Sequence, residues 1–141
     1  MQTFLPYPDF KETARCLDYR RLVKQRVEAT QIINILEYKT TKQWSGKPFP
    51  WSNHPAVLMW SGFLPCLCHY TNIIIEEWIN RGYKNTMTKF MVLKVSMKDP
   101  PWLGDKDFHD SHKSNLLRKD PKYYSQYDWN TPNNLAYIWP T

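Results

Sequence analysis

Residues 18–31 read DYRRLVKQRVEATQ, Asp18 to Gln31, and the spacing within this stretch decides the fold. Arg21, Lys24, Gln25, Glu28 and Gln31 fall along one face if the stretch is helical, because side chains three and four positions apart stand one above another. Leu22, Val23, Val27, Ile32, Ile33 and Leu36 occupy much of the rest and supply an apolar stripe for a core. The stretch is thus an amphipathic helix whose outer face is a cationic ridge with Glu28 set into it.

Working outward, the helical pattern runs from about Lys11 to Lys39 and makes one long scaffold helix, preceded by an extended start that Pro6 and Pro8 impose. Residues 40–53, TTKQWSGKPFPWSN, form a loop of the kind that often carries binding residues. Asn53 and His54 before Pro55 begin a short helix. Pro65, with Gly62 just upstream, divides it from a second helix that ends at Arg81-Gly82. Ile73, Ile74, Ile75, Trp78 and Ile79 mark that second helix as central and buried.

Met87 to Met97 is rich in β-branched residues yet has no clear partner strands, so it is read as helical. Asp105 caps a helix that runs through Lys119 and stops at Asp120-Pro121. The last twenty residues are aromatic and irregular. The expected architecture is all-α: one compact domain over residues 1–141, its long N-terminal helix packed on a central buried helix, with an extended N-terminus and an aromatic C-terminal tail.

Net charge is +6, and residues 11–47 alone hold nine Lys or Arg against four acids, so the basicity is concentrated. Seven Trp, nine Tyr and six Phe add ring faces. Positive charge beside stacking surfaces suits a polyanion with bases, although a solvated basic helix has the same composition. Three cysteines, two of them in Cys66-x-Cys68, do not form a spaced disulfide framework, and a reducing compartment is the simpler reading. With no leader-like N-terminus and no apolar run of membrane length, the expectation is an intracellular protein that does not enter a membrane.

On the residues alone, Glu28 is a candidate general acid or base, with Lys24 one turn away and Arg21 close in space. A plain surface helix carries such pairs too. His54, His109 and His112 raise the question of a metal, but Cys66-Leu67-Cys68-His69 lacks the two spaced pairs of a zinc finger, so none is expected. His112, Lys113, Ser114, Asn115, Arg118 and Lys119 crowd one segment and can all reach phosphate oxygens or base edges.

TFLPYPDF at residues 3–10, LDYRRLVKQRVEA at 17–29, NHPAVLMW at 53–60, RGY at 81–83 and PPWLGDKDFHDSHKSNLLRKDP at 100–121 cover nearly the whole chain in order. In these segments the sequence resembles the pyrimidine-dimer DNA glycosylase and AP lyase family of the phage endonuclease V type. The resemblance implies a small all-α protein whose N-terminal segment threads back between helices toward the DNA-binding face. It also implies a Schiff-base mechanism in which an N-terminal amine attacks C1′, assisted by a glutamate on the first long helix. Glu28 matches that glutamate, and no metal or cofactor is called for.

An α-amine suits the task, since it titrates near ~7.7 to 8.0, far below lysine. In the family the second residue is small and becomes the N-terminus, whereas Gln2 is bulky and should leave Met1 in place. The nucleophile is then the Met1 amine or Lys24, or else the lyase step is lost. Damaged or abasic double-stranded DNA is the implied partner and the protein is expected to be a monomer. Arg20, Arg21, Lys24, Gln25, Arg26, His54, His109, His112, Lys113, Ser114, Asn115, Arg118 and Lys119 are the expected DNA contacts. Tyr123, Tyr124 and Tyr127, with Trp129, are similar in place to the family's C-terminal aromatic run against the DNA. A DNA-binding module without a competent nucleophile and a metal-dependent nuclease are the rival readings.

Overall fold

In the computed structural model, which describes residues 1–41 and 51–141, the architecture is all-α. The expected loop at 40–53 lies largely outside the described residues. Its described end, Trp51 to Asn53, is a turn that leads into the next helix. Among the described residues there are six α-helices, in order α1 Phe10–Cys16, α2 Tyr19–Thr41, α3 Pro55–Leu58, α4 Leu64–Asn80, α5 Lys106–Lys119 and α6 Pro121–Tyr124. Among the described residues there is no strand, and no helix is long and apolar enough to cross a membrane.

The long scaffold helix expected over residues 11–39 is two helices. Asp9 caps α1 by accepting from the Lys11 and Glu12 amides, and Leu17 then turns extended at φ −69°, ψ 137°. Asp18 restarts the helix, its carbonyl accepting from the Leu22 amide at 2.9 Å. The break is imposed from 106 residues away: the Asp18 amide donates to Tyr124 Oη at 3.1 Å, and the Tyr124 hydroxyl donates back to Asp18 Oδ1. Both residues are buried, so a tertiary contact overrides a locally continuous helical pattern.

α2 lies along α4, with Leu22, Ala29, Ile32, Ile33 and Leu36 buried from one side and Leu67, Tyr70, Thr71 and Ile74 from the other. α4 is the central buried helix. Pro65 sits in its first turn, where a missing amide costs nothing, and Gly82 at φ +87° follows its last turn. The cap of α3 is His54, whose Nδ1 accepts from the Ala56 amide at 3.0 Å, rather than Asn53.

The helix expected at Met87–Met97 is absent. The segment is extended except for one 3₁₀ turn at Lys94–Ser96. Asn72 on α4 takes both backbone groups of Phe90, donating to its carbonyl at 2.8 Å and accepting from its amide at 2.7 Å. A side chain thereby stands where a partner strand would be, and the β-branched run keeps its preferred conformation without a sheet.

Candidate active site

The first five residues run into the interior as an extended segment, and Gln25 on α2 fixes their place. Its Oε1 accepts from the Phe4 amide at 2.9 Å and from the Tyr70 hydroxyl at 2.8 Å. Its Nε2 donates to the Gln2 carbonyl at 2.9 Å and to Glu28 Oε2 at 3.2 Å. One fully buried amide therefore ties the N-terminal backbone directly to the carboxylate one turn further along the helix.

Four more contacts hold the segment. Trp60 Nε1 donates to Thr3 Oγ1 at 3.0 Å and the Tyr70 hydroxyl to the Phe4 carbonyl at 2.8 Å. The Leu5 amide donates to His112 Nδ1 at 3.0 Å, and His109 Nδ1 meets the Leu5 carbonyl at 2.7 Å. Because His109 Nε2 accepts from the Gly104 amide at 2.9 Å, the ring proton must sit on Nδ1 and His109 is the donor to Leu5. Burial lowers the pKa of both histidines, that of His112 to about 3, so both rings are neutral.

Met1 emerges from this clamp into an open cavity of about 340 Å³. Glu28 is in its wall, with Arg20, Arg21, Lys24 and Lys119 around it and Gln2, Phe4, Tyr137 and Trp139 completing it. Arg21 leans on Asp18 at 3.2 Å, whereas Arg20 and Lys24 are exposed. Trp139 packs edge-on against His54, with centroids 5.8 Å apart. Burial and, after it, the charge of the N-terminal ammonium lower the His54 pKa. A primary amine, a carboxylate and four cations about one cavity can attack an electrophilic carbon, move protons beside it and hold phosphates.

The structure thus brings together Met1, Lys24, Glu28, Arg20, Arg21 and Lys119, with His54 against Trp139 and Gln25 beneath. It separates others that were expected to touch DNA. Arg26 faces the far side of α2, with its guanidinium 4.9 Å above the Trp78 ring and Nη1 bonded to Asn85 at 2.8 Å. His109, His112, Ser114, Asn115 and Gln25 are buried and bind the fold itself, and α5 buries the face on which those four lie. Ser114 Oγ accepts from the Leu135 amide at 2.9 Å, and Arg118 donates to the Asn133 and Leu135 carbonyls, each at 2.7 Å, so this part of α5 anchors the C-terminal tail.

Tyr124 is fully buried on Asp18, Tyr127 donates to the Cys16 carbonyl at 3.1 Å, and Tyr123 packs against both. Tyr127 and Tyr124 also stack with Trp129, and Lys113 Nζ lies 5.0 Å over the Tyr7 ring. That cluster packs the ends of α1 and α6 and leaves the cavity wall to other aromatics of the tail. Tyr137 and Trp139 are those aromatics, and their alternation along an extended stretch is the signal that would have found them.

Among the described residues no group of three or more His, Cys, Asp or Glu could hold a metal. The three cysteines are free and buried, and burial pushes the Cys16 and Cys66 thiols up to about 12 and Cys68 to about 11, which disqualifies them as thiolate nucleophiles.

An amine and a carboxylate under a cationic rim define a site suited to a nucleic-acid substrate. Residues 1–91 match the pyrimidine dimer DNA glycosylase family, and the chain belongs to that family. Its substrate is accordingly DNA. No curated protein and no solved structure matches the chain. The matched span contains Met1, Lys24, Glu28 and His54, while Lys119, Tyr137 and Trp139 come from beyond it.

Proposed function

We propose that this protein is a DNA glycosylase with an associated AP lyase step, acting as a monomer on pyrimidine lesions such as ultraviolet photodimers in duplex DNA. The Met1 amine is the nucleophile and Glu28 the general acid and base. The observation that carries this reading is the placement of Met1 and Glu28 on one cavity, coupled through Gln25.

The unprotonated amine attacks C1′ of the extruded nucleotide and expels the base, which leaves with the proton that the amine sheds. Glu28 supplies a proton as the deoxyribose ring opens to the Schiff base. It then accepts one from C2′ as β-elimination releases the 3′ phosphate, and hydrolysis of the imine returns the amine. Arg20, Arg21, Lys24 and Lys119 hold the flanking phosphates. Extrusion costs a few kcal/mol, and a damaged stack lowers that cost.

The test is borohydride trapping with irradiated and with abasic duplex in the presence of EDTA. A covalent protein–DNA adduct, mapped by peptide mass spectrometry to the Met1 amine, is expected. Mapping to Lys24 would transfer the nucleophile to that residue. Binding without adduct or nicking would reduce the protein to a DNA-binding module, and loss of activity in EDTA would point to metal chemistry.

A further inference from the structure

Gln2 lines the cavity beside Met1 and is only 8% exposed, yet its side-chain nitrogen has no hydrogen-bond partner. The amide cannot be turned to remove the problem. Its Oε1 accepts from the Thr3 amide at 2.9 Å, so the oxygen is committed and the NH₂ is the end left over. The Gln2 backbone is fixed as well, its carbonyl held by Gln25 at 2.9 Å. A buried donor with neither protein partner nor room to turn is costly, and such groups in native folds call for a reason. Nε2 is turned toward the hydroxyl of Tyr137 on the half-buried tail, near enough for Gln2 to lower that hydroxyl's pKa yet outside hydrogen-bond geometry.

We propose that Gln2 Nε2, uncovered when Tyr137 shifts on substrate binding, is a substrate-contacting donor directed at the O2 carbonyl of the departing pyrimidine. The proposal rests on the glycosylase reading above. As the Met1 nitrogen lone pair forms its bond to C1′, the C1′–N1 bond breaks and its electron pair passes into the ring, shared between N1 and O2. The proton shed by the amine ends on the base. Charge develops on O2 only in this step, so a pre-positioned donor there accelerates base departure specifically. Gln2 is peptide-bonded to the nucleophilic residue, which fixes the donor within one residue of the attacking atom.

Two replacements separate this role from packing. Gln2→Glu keeps the shape and the acceptor for the Thr3 amide but replaces the donor by an oxygen. Gln2→Leu removes the amide altogether. Both are bulky, so each is expected to retain Met1 as Gln2 is. Each variant is compared with wild type in two assays: base release from a lesion-bearing duplex, and borohydride trapping on a preformed abasic duplex, where no base has to leave. Base release is expected to fall roughly 100-fold in both variants while trapping falls by no more than about threefold. Parallel loss in the two assays would make Gln2 a packing residue, and unchanged base release would remove it from the mechanism. Failure of the wild-type protein to trap on abasic DNA would overturn the Schiff-base reading instead.

Discussion

The Leu5 amide donates to the unprotonated Nδ1 of His112 at 3.0 Å, so a backbone bond 107 residues apart in sequence depends on a histidine staying neutral. Burial, with His109 beside it, lowers the His112 pKa to about 3, and His109 is shifted in the same direction. In the unfolded chain a histidine titrates near ~6.5. Below that value the unfolded state binds a proton that the folded state refuses.

Stability is therefore full above pH ~6.5 and declines as the pH falls toward about 3, by up to about 1.4 kcal/mol per pH unit from His112 alone. Urea midpoints at pH 7.5 and pH 5 should show the loss. His112→Asn retains an acceptor for Leu5 without a titrating ring and should flatten the profile. The same slope in variant and wild type would remove His112 as its source.

Glu28→Gln tests the carboxylate. The substituted side chain keeps an oxygen for the bond that Gln25 Nε2 now makes to Glu28, so the N-terminal segment should remain seated. DNA affinity should hold within about threefold while turnover drops roughly 100-fold or more, the usual scale for a lost acid or base. Equal losses of binding and cutting would make Glu28 a structural residue.

Much of this was legible in the sequence, for identifiable reasons. The amphipathic pattern of α2, the divided helix around Pro65 and the capped helix from Lys106 to Lys119 are local signals, and the structure has all three. The break at Leu17-Asp18 was not legible because it depends on Tyr124, and the extended run from Met87 depends on Asn72. At the site, Glu28 stood out as an acid among cations. The polar residues of α5 looked like DNA contacts because histidine, serine and asparagine hydrogen-bond equally well to phosphate and to buried backbone. Only the fold shows that His109, His112, Ser114 and Asn115 do the latter.

Lys24 and Arg26 lie two positions apart on the same basic helix but should fail differently. Lys24 is exposed at the cavity, whereas Arg26 is held between Trp78 and Asn85. Lys24→Ala should weaken DNA binding and reduce the slope of log K against log salt by about 0.9. Arg26→Ala should leave that slope unchanged and cost about 1 to 2 kcal/mol of stability through the lost cation–π contact and hydrogen bond. A salt slope altered by Arg26→Ala, with unfolding unaffected, would return Arg26 to the DNA interface.

The amine itself is the last point of the mechanism open to direct measurement. If Met1 were removed, the new amine of Gln2 would be free to attack its own side-chain carbonyl, closing a lactam with loss of ammonia and leaving no primary amine to form a Schiff base. On the proposed mechanism, a bulky second residue that kept Met1 in place would protect the nucleophile. Intact mass of the purified full-length protein should correspond to the chain with Met1, and adduct formation should track that species. Gln2→Ala makes the converse case, because a small second residue permits removal of Met1. The amine then sits one residue further in, on the residue whose carbonyl Gln25 holds. Trapping should fall at least tenfold in that variant, on the scale expected when a reacting atom is displaced from its aligned position. Undiminished trapping by a protein shown to lack Met1 would mean that the Met1 amine is not required, and peptide mapping of the adduct would then decide between the new α-amine and Lys24.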